Sequence, residues 1–163
     1  MCIRDRFHVF TDASKYGLGA MLAQVDDKGI MRPVSYCSKI FTQTQQNWHV
    51  SEQELYAVIY AVEKWEKLLR YKKFEIHTDH KNLQKLFDKA QDFRSGKLFR
   101  WAVRLQDFHF ECRYIRGKDN VMADWLSRES IYLLNPEYFK VREFYNRDNE
   151  TVSYTHLTLP TKA

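Results

Sequence analysis

The chain has 163 residues, of which 44% are hydrophobic and 15% aromatic, and its formal net charge is +5. This length and composition suit one globular domain with a buried core and exclude a disordered chain. The sequence has no apolar run that could span a membrane and no signal-peptide pattern, so we expect no membrane partner. Cys37 and Cys112 lack metal-ligand spacing and are predicted to be reduced thiols, which favours an intracellular site. On charge alone, a polyanionic substrate and an ordinary solvated surface are equally good explanations.

The two ends of the chain can be encoded by inverted copies of one DNA sequence. Codons ATG TGT ATA AGA GAC AG encode residues 1–6, and their reverse complement encodes residues 152–156. This DNA string resembles the transposon-end adaptor used to make sequencing libraries. We therefore expect residues 1–6 and 152–163 to be adaptor-derived, with few packing contacts, and the rest to be an internal slice of a longer protein. Within it, residues 7–129 are the predicted domain and 130–151 a linker or the start of the next module.

The first half of the chain predicts three strands followed by a helix. Strands are expected at residues 7–13, 16–25 and 30–37. Their short connections, including the turn at 26–29, imply an antiparallel meander. The polar residues 43–47 are predicted to form a loop. Apolar residues recur at helical spacing between Leu55 and Leu69, and Ser51 and Glu54 have the spacing of a capping box at the start of that helix.

The second half of the chain predicts two further strands and three further helices. A strand at 72–78, a short helix through Leu83, Leu86 and Phe87, a helix at 93–106, a strand at 108–114 and a helix at 121–128 are expected. Asn120 has the side chain of an N-cap for the last helix. This order of elements predicts an α/β domain with a five-stranded mixed sheet, flanked by helices, in which the first three strands are antiparallel.

Four acidic residues lie in contexts that suit metal-bound carboxylates. Asp12 and Asp79 end strands, whereas Glu54 and Asp124 lie near the starts of helices. Carboxylates gathered in one place repel one another unless divalent cations neutralise them. The constellation therefore implies two hard metal ions that activate water for phosphodiester cleavage. We expect the four carboxylates to form one exposed cluster in which like-charge repulsion raises at least one pKa.

Each of these acids also has an ordinary structural explanation. Glu54 has the position of a capping-box glutamate. Its neighbour Glu52 lies in the first turn of the helix, where the helix dipole stabilises a negative charge. Asp12 could cap a turn, and Asp79 and Asp124 could stabilise helix starts. The residues taken singly do not decide between these roles and catalysis.

Six motifs occur in order between residues 7 and 128. They are Thr11-Asp-Ala-Ser14 with Gly17-x-Gly19, Ser35-Tyr-Cys-Ser38, Glu52-x-Glu54, Thr78-Asp-His80, Arg100-Trp101 and Ala123-Asp-Trp-Leu-Ser-Arg128. Together they resemble the ribonuclease H domain that follows the polymerase in reverse transcriptases, and are most similar to the domains of gypsy-type LTR retrotransposons and plant pararetroviruses.

The resemblance implies a ribonuclease H-like fold and hydrolysis of the RNA strand of an RNA/DNA hybrid. It makes Asp12, Glu54, Asp79 and Asp124 the ligands of two Mg²⁺ ions, with Mn²⁺ as the alternative. One ion would activate the attacking water and the other would stabilise the leaving 3′ oxygen. The implied partners are the hybrid and the upstream polymerase domain of the same polyprotein, inside a cytoplasmic retroelement particle.

Further residues are candidate substrate contacts, although a single polar or basic side chain is more often simply solvated. These candidates are Ser14, Lys15, His80, Arg100, Arg116 and Lys118. One departure from the family is the stretch 115–120, which has no counterpart of the catalytic histidine that many members carry before the last aspartate. The alternative function is a catalytically silent connection-type domain that binds hybrid or polymerase, and the presence of all four acids argues against it.

Overall fold

The described part of the protein is a five-stranded mixed sheet with helices on both faces. A computed structural model describes residues 6–81, 83 and 96–134. The strands are β1 (Phe7–Ala13), β2 (Gly17–Val25), β3 (Met31–Ile40), β4 (Phe74–Thr78) and β5 (Phe110–Tyr114). They are ordered β3-β2-β1-β4-β5; β1–β2 and β2–β3 pair antiparallel, and β4 is parallel to both β1 and β5. The predicted fold class and the antiparallel meander are confirmed.

The single helix predicted to run through Leu69 is divided at Trp65 into two helices, and a further short helix precedes it. The helices are α1 (Gln43–Gln46), α2 (Val50–Lys64), α3 (Glu66–Leu69), α4 (Lys97–Leu105) and α5 (Val121–Leu134), with a short 3₁₀ helix at Gly117–Asp119. Among the described residues, no helix is long and apolar enough to cross a bilayer.

One face of the sheet packs against the apolar stripe of α2. Side chains of that stripe and of the facing strand positions have no exposed surface: Val9, Ala20, Leu22, Leu55, Val58, Ile59, Val62 and Ile76. Each fully buried aliphatic side chain of this size contributes roughly 1.5–3 kcal/mol of transfer free energy. This core fixes α2, and therefore Glu54, against β1 and β2.

The opposite face of the sheet packs against α5 through Gly19. A Cβ atom at Gly19 would lie 2.4 Å from the Ser127 nitrogen, 2.6 Å from the Ala123 carbonyl oxygen and 2.6 Å from the Leu126 carbonyl carbon. All three are backbone atoms, so the helix backbone rests directly on the strand. Gly19 is also the partner of Asp12 in the β1–β2 register. The second glycine of the Gly-x-Gly motif therefore lets α5 approach the strand that carries Asp12.

Several predicted boundaries and one predicted loop were wrong. Residues 43–46 are helical because the Thr42 hydroxyl and the Gln45 side chain form a reciprocal capping box there. Strand β3 extends beyond residue 37 to Ile40, whereas β4 and β5 begin two residues later than predicted. Helix α4 begins at Lys97; residues 93–95, the predicted start of this helix, lie outside the described residues, as do Leu86 and Phe87 of the predicted short helix.

Asn120 directly precedes α5 as predicted, but its side chain does not cap the helix, because its Oδ1 has no hydrogen-bond partner among the described residues. Its Nδ2 donates a 2.9 Å hydrogen bond to the carbonyl oxygen of Thr11, and the side chain is 2% exposed. Asn120 therefore ties the start of α5 to β1, one residue before Asp12. The helix continues past the predicted end at Arg128 as far as Leu134.

The terminal assignments remain predictions. Residues 1–5 and 135–163 lie outside the described part of the chain. Arg6, the last residue of the segment assigned to the adaptor, donates a 2.8 Å hydrogen bond to Glu75. Residues 130–134, the beginning of the predicted linker, belong to α5.

We expect Gly19→Ala to destabilise the protein by about 1–3 kcal/mol or more, because the added methyl group meets backbone atoms that cannot rotate away. Urea unfolding would measure the loss. Gly29→Asn is the matched control: Gly29 has φ +79° and no neighbouring atom within 4 Å, and asparagine tolerates that backbone region. An equally stable Gly19→Ala variant would contradict the close contact between α5 and β2.

Candidate active site

Three of the four predicted acids meet at one edge of the sheet. Asp12 lies near the end of β1 and Asp79 directly follows β4; the parallel pairing of these strands brings their carboxyl ends together. Glu54 is the fifth residue of α2, which packs on β1. One carboxylate oxygen from each of Asp12, Glu54 and Asp79 lies within 4.8 Å of the other two. This spacing allows the three side chains to share a cation.

The cluster is deeper than the predicted exposed cluster. Asp12 and Glu54 are each only 4% exposed, and Asp79 is half-buried. Glu54 Oε2 is buried and has no hydrogen-bond partner among the described residues. A buried carboxylate oxygen without a donor is costly unless the group is protonated or bound to a cation. The position of Glu54 is therefore better suited to a ligand than to an isolated structural role.

Burial and repulsion together raise the pKa of two of these acids. Burial raises the pKa of Glu54 from 4.5 to about 9, and the charges of Asp12 and Asp79 add to the shift. Burial likewise raises the pKa of Asp12 from 3.8 to about 6, with smaller contributions from Asp79 and Asp124. Like-charge repulsion was expected and is present, but loss of solvent is the larger cause. A divalent cation would favour the ionised forms that the fold disfavours.

Asp124 does not join the three-carboxylate cluster. It is half-exposed, and its Oδ1 lies 2.6 Å from an Arg128 guanidinium nitrogen one helical turn later. Its charge nevertheless contributes to the raised pKa of Asp12, so the two groups interact electrostatically. The predicted role of Asp124 as a fourth ligand stays a prediction.

Ser127 is a site residue to which the motif analysis assigned no role. Its hydroxyl donates a hydrogen bond to Asp12 Oδ2, and this bond partly offsets the rise in the pKa of Asp12. Ser127 is fully buried and lies three residues after Asp124, on the same side of α5. In the sequence, the three-residue spacing indicates only that Ser127 lies on the same side of the helix as Asp124. It does not show that the Ser127 hydroxyl reaches Asp12 on β1.

Ser14 holds Ser127 in place, and its predicted contact with substrate stays a prediction. The Ser14 hydroxyl donates a 2.6 Å hydrogen bond to the Ser127 carbonyl oxygen and accepts hydrogen bonds from the backbone nitrogens of Tyr16 and Gly17. It therefore closes the β1–β2 turn onto α5. Its contacts assign it a positioning role beside Asp12.

The capping assignment at α2 was wrong in a way that separates the two glutamates. His49 is the N-cap, and Glu52 at the third helical position completes the capping box by accepting from the His49 backbone nitrogen at 3.4 Å. Glu52 also pairs with Lys97 at 3.2 Å. The Ser51 hydroxyl lies 3.0 Å from His80 Nε2 and is not the cap. Glu54 therefore has no part in capping the helix.

The remaining candidate substrate contacts differ in exposure. His80 is half-buried against Ser51, whereas Lys15 and Arg100 are exposed. A Cβ atom at Gly117 would lie 3.1 Å from Asp79 Oδ2, so the 3₁₀ turn passes directly beside the cluster. Its flanking residues, Arg116 and Lys118, are both exposed. Substrate binding by these side chains stays a prediction.

A model of the family described as RNase H-like domain found in reverse transcriptase matches residues 3–108. The chain belongs to this family. It is 39% identical over 125 residues to the retrovirus-related Pol polyprotein from transposon 412 of Drosophila melanogaster, covering 77% of this chain and 10% of that protein. It is 38% identical over 120 residues to the transposon Tf2-3 polyprotein of Schizosaccharomyces pombe, covering 72% and 9%. The chain thus spans about a tenth of the length of these curated relatives.

Solved structures support the fold. RNase H1 from Halobacterium salinarum is 21% identical, with a TM-score of 0.59 over 77% of this chain and 97% of that one. The foamy viral protease-reverse transcriptase in complex with RNA/DNA hybrid is 19% identical, with a TM-score of 0.52 over 95% of this chain and 18% of that one. The chain therefore has the RNase H-like fold of a retroelement reverse transcriptase domain, as the motifs predicted.

We expect Ser127→Ala to weaken Mg²⁺ binding by about tenfold, since a hydrogen bond to a charged group contributes roughly 1.5–3 kcal/mol. Loss of the donor would also raise the pKa of Asp12 further. Titration calorimetry with Mg²⁺ measures the affinity. Ser35→Ala is the matched control, because it removes a hydroxyl of β3 that accepts a hydrogen bond from Trp65 Nε1. This variant should leave the Mg²⁺ affinity unchanged. Equal affinities in both variants would contradict the positioning role of Ser127.

The metal-free protein should become less stable as pH rises. Above the ordinary pKa of Glu54 and below its folded value of about 9, the folded state binds more protons than the unfolded chain, so the free energy of unfolding falls with pH. For one proton the slope is at most about 1.4 kcal/mol per pH unit. Urea unfolding in EDTA between about pH 7 and 8.5 would measure it, and Glu54→Gln should flatten it; at lower pH the lowered pKa values of His8, His77 and His80 act in the opposite direction. A stability that rises with pH over this interval would contradict the buried, uncompensated carboxylate.

Proposed function

We propose that the chain is a metal-dependent endonuclease that hydrolyses the RNA strand of RNA/DNA hybrids, as the ribonuclease H part of a retroelement reverse transcriptase. The observation that carries the proposal is the meeting of Asp12, Glu54 and Asp79 within 4.8 Å at the edge of an RNase H-like sheet. Two of these acids are almost completely buried without a basic partner in the cluster, which is costly for stability and serves ligand binding.

The residues present fit a divalent cation. All three groups are carboxylates, the oxygen donors that Mg²⁺ prefers, and one buried oxygen of Glu54 has no donor among the described residues. Asp12, Glu54 and Asp79 would hold one Mg²⁺, and Asp12 with Asp124 a second. Bound ions of this kind supply a water of lowered pKa and neutralise charge at the scissile phosphate. Mn²⁺ has compatible ligand chemistry.

The protein contributes rigid placement of its ligands. Asp12 is held by the Ser127 hydroxyl, and the turn at Ser14 in turn holds Ser127 against β1. Glu54 is fixed by the buried stripe of α2 on the sheet. Asp12 would belong to both ligand sets, because a hydrogen-bonded side chain on a central strand keeps its orientation as substrate enters.

The substrate follows from the chemistry of the site and of the relatives. The foamy viral reverse transcriptase of similar fold has been solved with an RNA/DNA hybrid. Arg116 and Lys118 flank the turn beside Asp79 and would contact backbone phosphates. Selection of the RNA strand would depend on 2′-hydroxyl contacts in the wide minor groove, so base sequence should matter little.

The alternative is a catalytically silent domain that binds hybrid or polymerase. Such a domain would gain stability by replacing buried acids with apolar residues, because Glu54 and Asp12 have their pKa values raised by burial. Retention of the complete carboxylate trio favours the enzyme.

The decisive variant is Asp12→Asn, assayed with Mg²⁺ on a hybrid labelled in the RNA strand, with the upstream polymerase domain attached. Asparagine keeps the size of the side chain but removes its charge, so we expect activity to fall by at least about 10² while stability stays equal or rises. Duplex DNA should not be cut by either protein.

Glu52→Gln is the matched control. Glu52 caps α2 and pairs with Lys97 outside the trio, so this variant should stay active. An equal loss of activity in both variants would show either that a folding defect had been mistaken for loss of catalysis or that Glu52, not Glu54, is the functional glutamate. Full activity in Asp12→Asn would rule out the proposed mechanism.

A further inference from the structure

Two histidines and a glutamate form a second, compact donor set on β1 and β4. His8 lies opposite Glu75 in the parallel register, and His77 follows two residues later on the same face of β4. The His8 Nδ1 to His77 Nε2 distance is 3.1 Å, and each of these nitrogens lies 3.6 Å from Glu75 Oε2. We propose that His8, Glu75 and His77 form a transition-metal site, separate from the carboxylate cluster, with Zn²⁺ as the ion that fits it best.

The three distances match one face of a zinc tetrahedron. Zinc binds imidazole nitrogen and carboxylate oxygen at about 2.0–2.2 Å, so the ligand atoms of a tetrahedral site lie about 3.3–3.6 Å apart. The separations of 3.1, 3.6 and 3.6 Å straddle that value. Three protein ligands leave the fourth position for water. Two imidazoles with one carboxylate are a donor set for zinc, whereas Mg²⁺ prefers oxygen alone.

The site is largely shielded but not sealed. The side chains of His8, Glu75 and His77 are 11%, 9% and 12% exposed. His77 Nδ1 has no hydrogen-bond partner among the described residues. Nδ1 can therefore carry the ring proton, which leaves a lone pair on Nε2. The Nε2 lone pair can therefore face His8 and Glu75.

Charges around the site balance before an ion enters. Arg6 and Arg113 contact Glu75 at 2.8 and 3.1 Å, and both also lie within 4 Å of Glu111. Two arginines are thus offset by two glutamates, so a dication does not enter a positive field. Arg113 Nε binds the same Glu75 oxygen that faces the histidines and competes with the metal. Glu111, 3.4 Å from the other end of the guanidinium, provides Arg113 with a second partner.

The site is distinct from the carboxylate cluster. His8 precedes Asp12 by four residues on β1, which separates the two by about 13 Å along a strand. The ring of Phe10 stacks on His77 at 4.5 Å and lies between them. A bound ion would join β1 to β4, the strands that position Asp12 and Asp79. Because the two sites share no ligand, the inference does not depend on the proposed nuclease activity.

Titration of the metal-free 163-residue chain with Co²⁺ and Zn²⁺ tests the site. Four-coordinate Co²⁺ with nitrogen ligands absorbs intensely in the visible range, and six-coordinate Co²⁺ on carboxylates does not. We expect the intense band in the unsubstituted protein and in Asp12→Asn, displaced by one equivalent of Zn²⁺. His8→Gln should lose the band and weaken Zn²⁺ binding by about tenfold or more.

Two results would overturn the site: absence of the intense band in the unsubstituted protein, or an unchanged band in a folded His8→Gln variant, with folding checked by circular dichroism. Arg113→Gln is the second test, because the Arg113 side chain is more than half exposed and we expect the variant to fold. Removing this competitor should tighten Co²⁺ binding. Unchanged or weaker binding in Arg113→Gln would show that the arginines and Glu75 form only an ion-pair network, even if His8→Gln failed to fold.

Discussion

The parallel register of β1 and β4 determines what this domain can bind. Phe7 pairs with Phe74 and Phe10 with His77, so each residue of β1 lies level with the residue 67 positions later. Continued by two residues, the same register sets Asp12 beside Asp79 at the ends of the strands. No local interaction could bring these two acids together, because parallel strands need a long crossover connection. Here the crossover passes through α2, which delivers Glu54 to the same edge.

The carboxylate cluster is held together by contacts that oppose its own repulsion. Asp12, Glu54 and Asp79 repel one another when ionised. Burial further destabilises the ionised forms of Asp12 and Glu54. The opposing contacts come from neutral groups: the α2 core, and the close contact of α5 with Gly19. The domain thus spends stability on a site that a cation would relieve, a common arrangement for functional residues. Loss of the close packing at Gly19 would move Ser127 away from Asp12. It would therefore weaken both the packing of α5 and the hydrogen bond that stabilises the Asp12 carboxylate.

The sequence was informative where chemistry is local or periodic. The bounds predicted for β1 and β2 match the structure to within one residue. The apolar stripe from Leu55 placed α2, and the short Thr-Asp-Ala-Ser and Thr-Asp-His motifs identified Asp12 and Asp79. It misled where two local signals competed. Ser51 with Glu54 has capping-box spacing, but His49 with Glu52 forms the box, and histidine is not among the favoured N-cap residues.

Contacts between distant residues could not be predicted in the same way. Ser127 lies 115 residues from Asp12, and Asn120 lies 109 residues from Thr11; only the packed fold shows that each reaches β1. The histidine pair is a similar case, because His8 and His77 are 69 residues apart and carry no spacing signal of a metal site. A strand pair is invisible to motif analysis unless its register is known.

The same register also explains how two groups of opposite character coexist on one face. Side chains of a strand alternate between faces, so His8, Phe10 and Asp12 of β1 share a face with Glu75 and His77 of β4. The Phe10 ring stacks on His77 and separates the nitrogen-containing cluster from the oxygen cluster by a layer of apolar surface. Two arginines contact Glu75, whereas Arg128 of α5 is the basic group that lowers the pKa of Asp12. Because about 13 Å of strand and the Phe10 ring separate the two ligand sets, one pair of strands can carry both proposed sites, one with oxygen ligands for Mg²⁺ and one with nitrogen ligands for Zn²⁺.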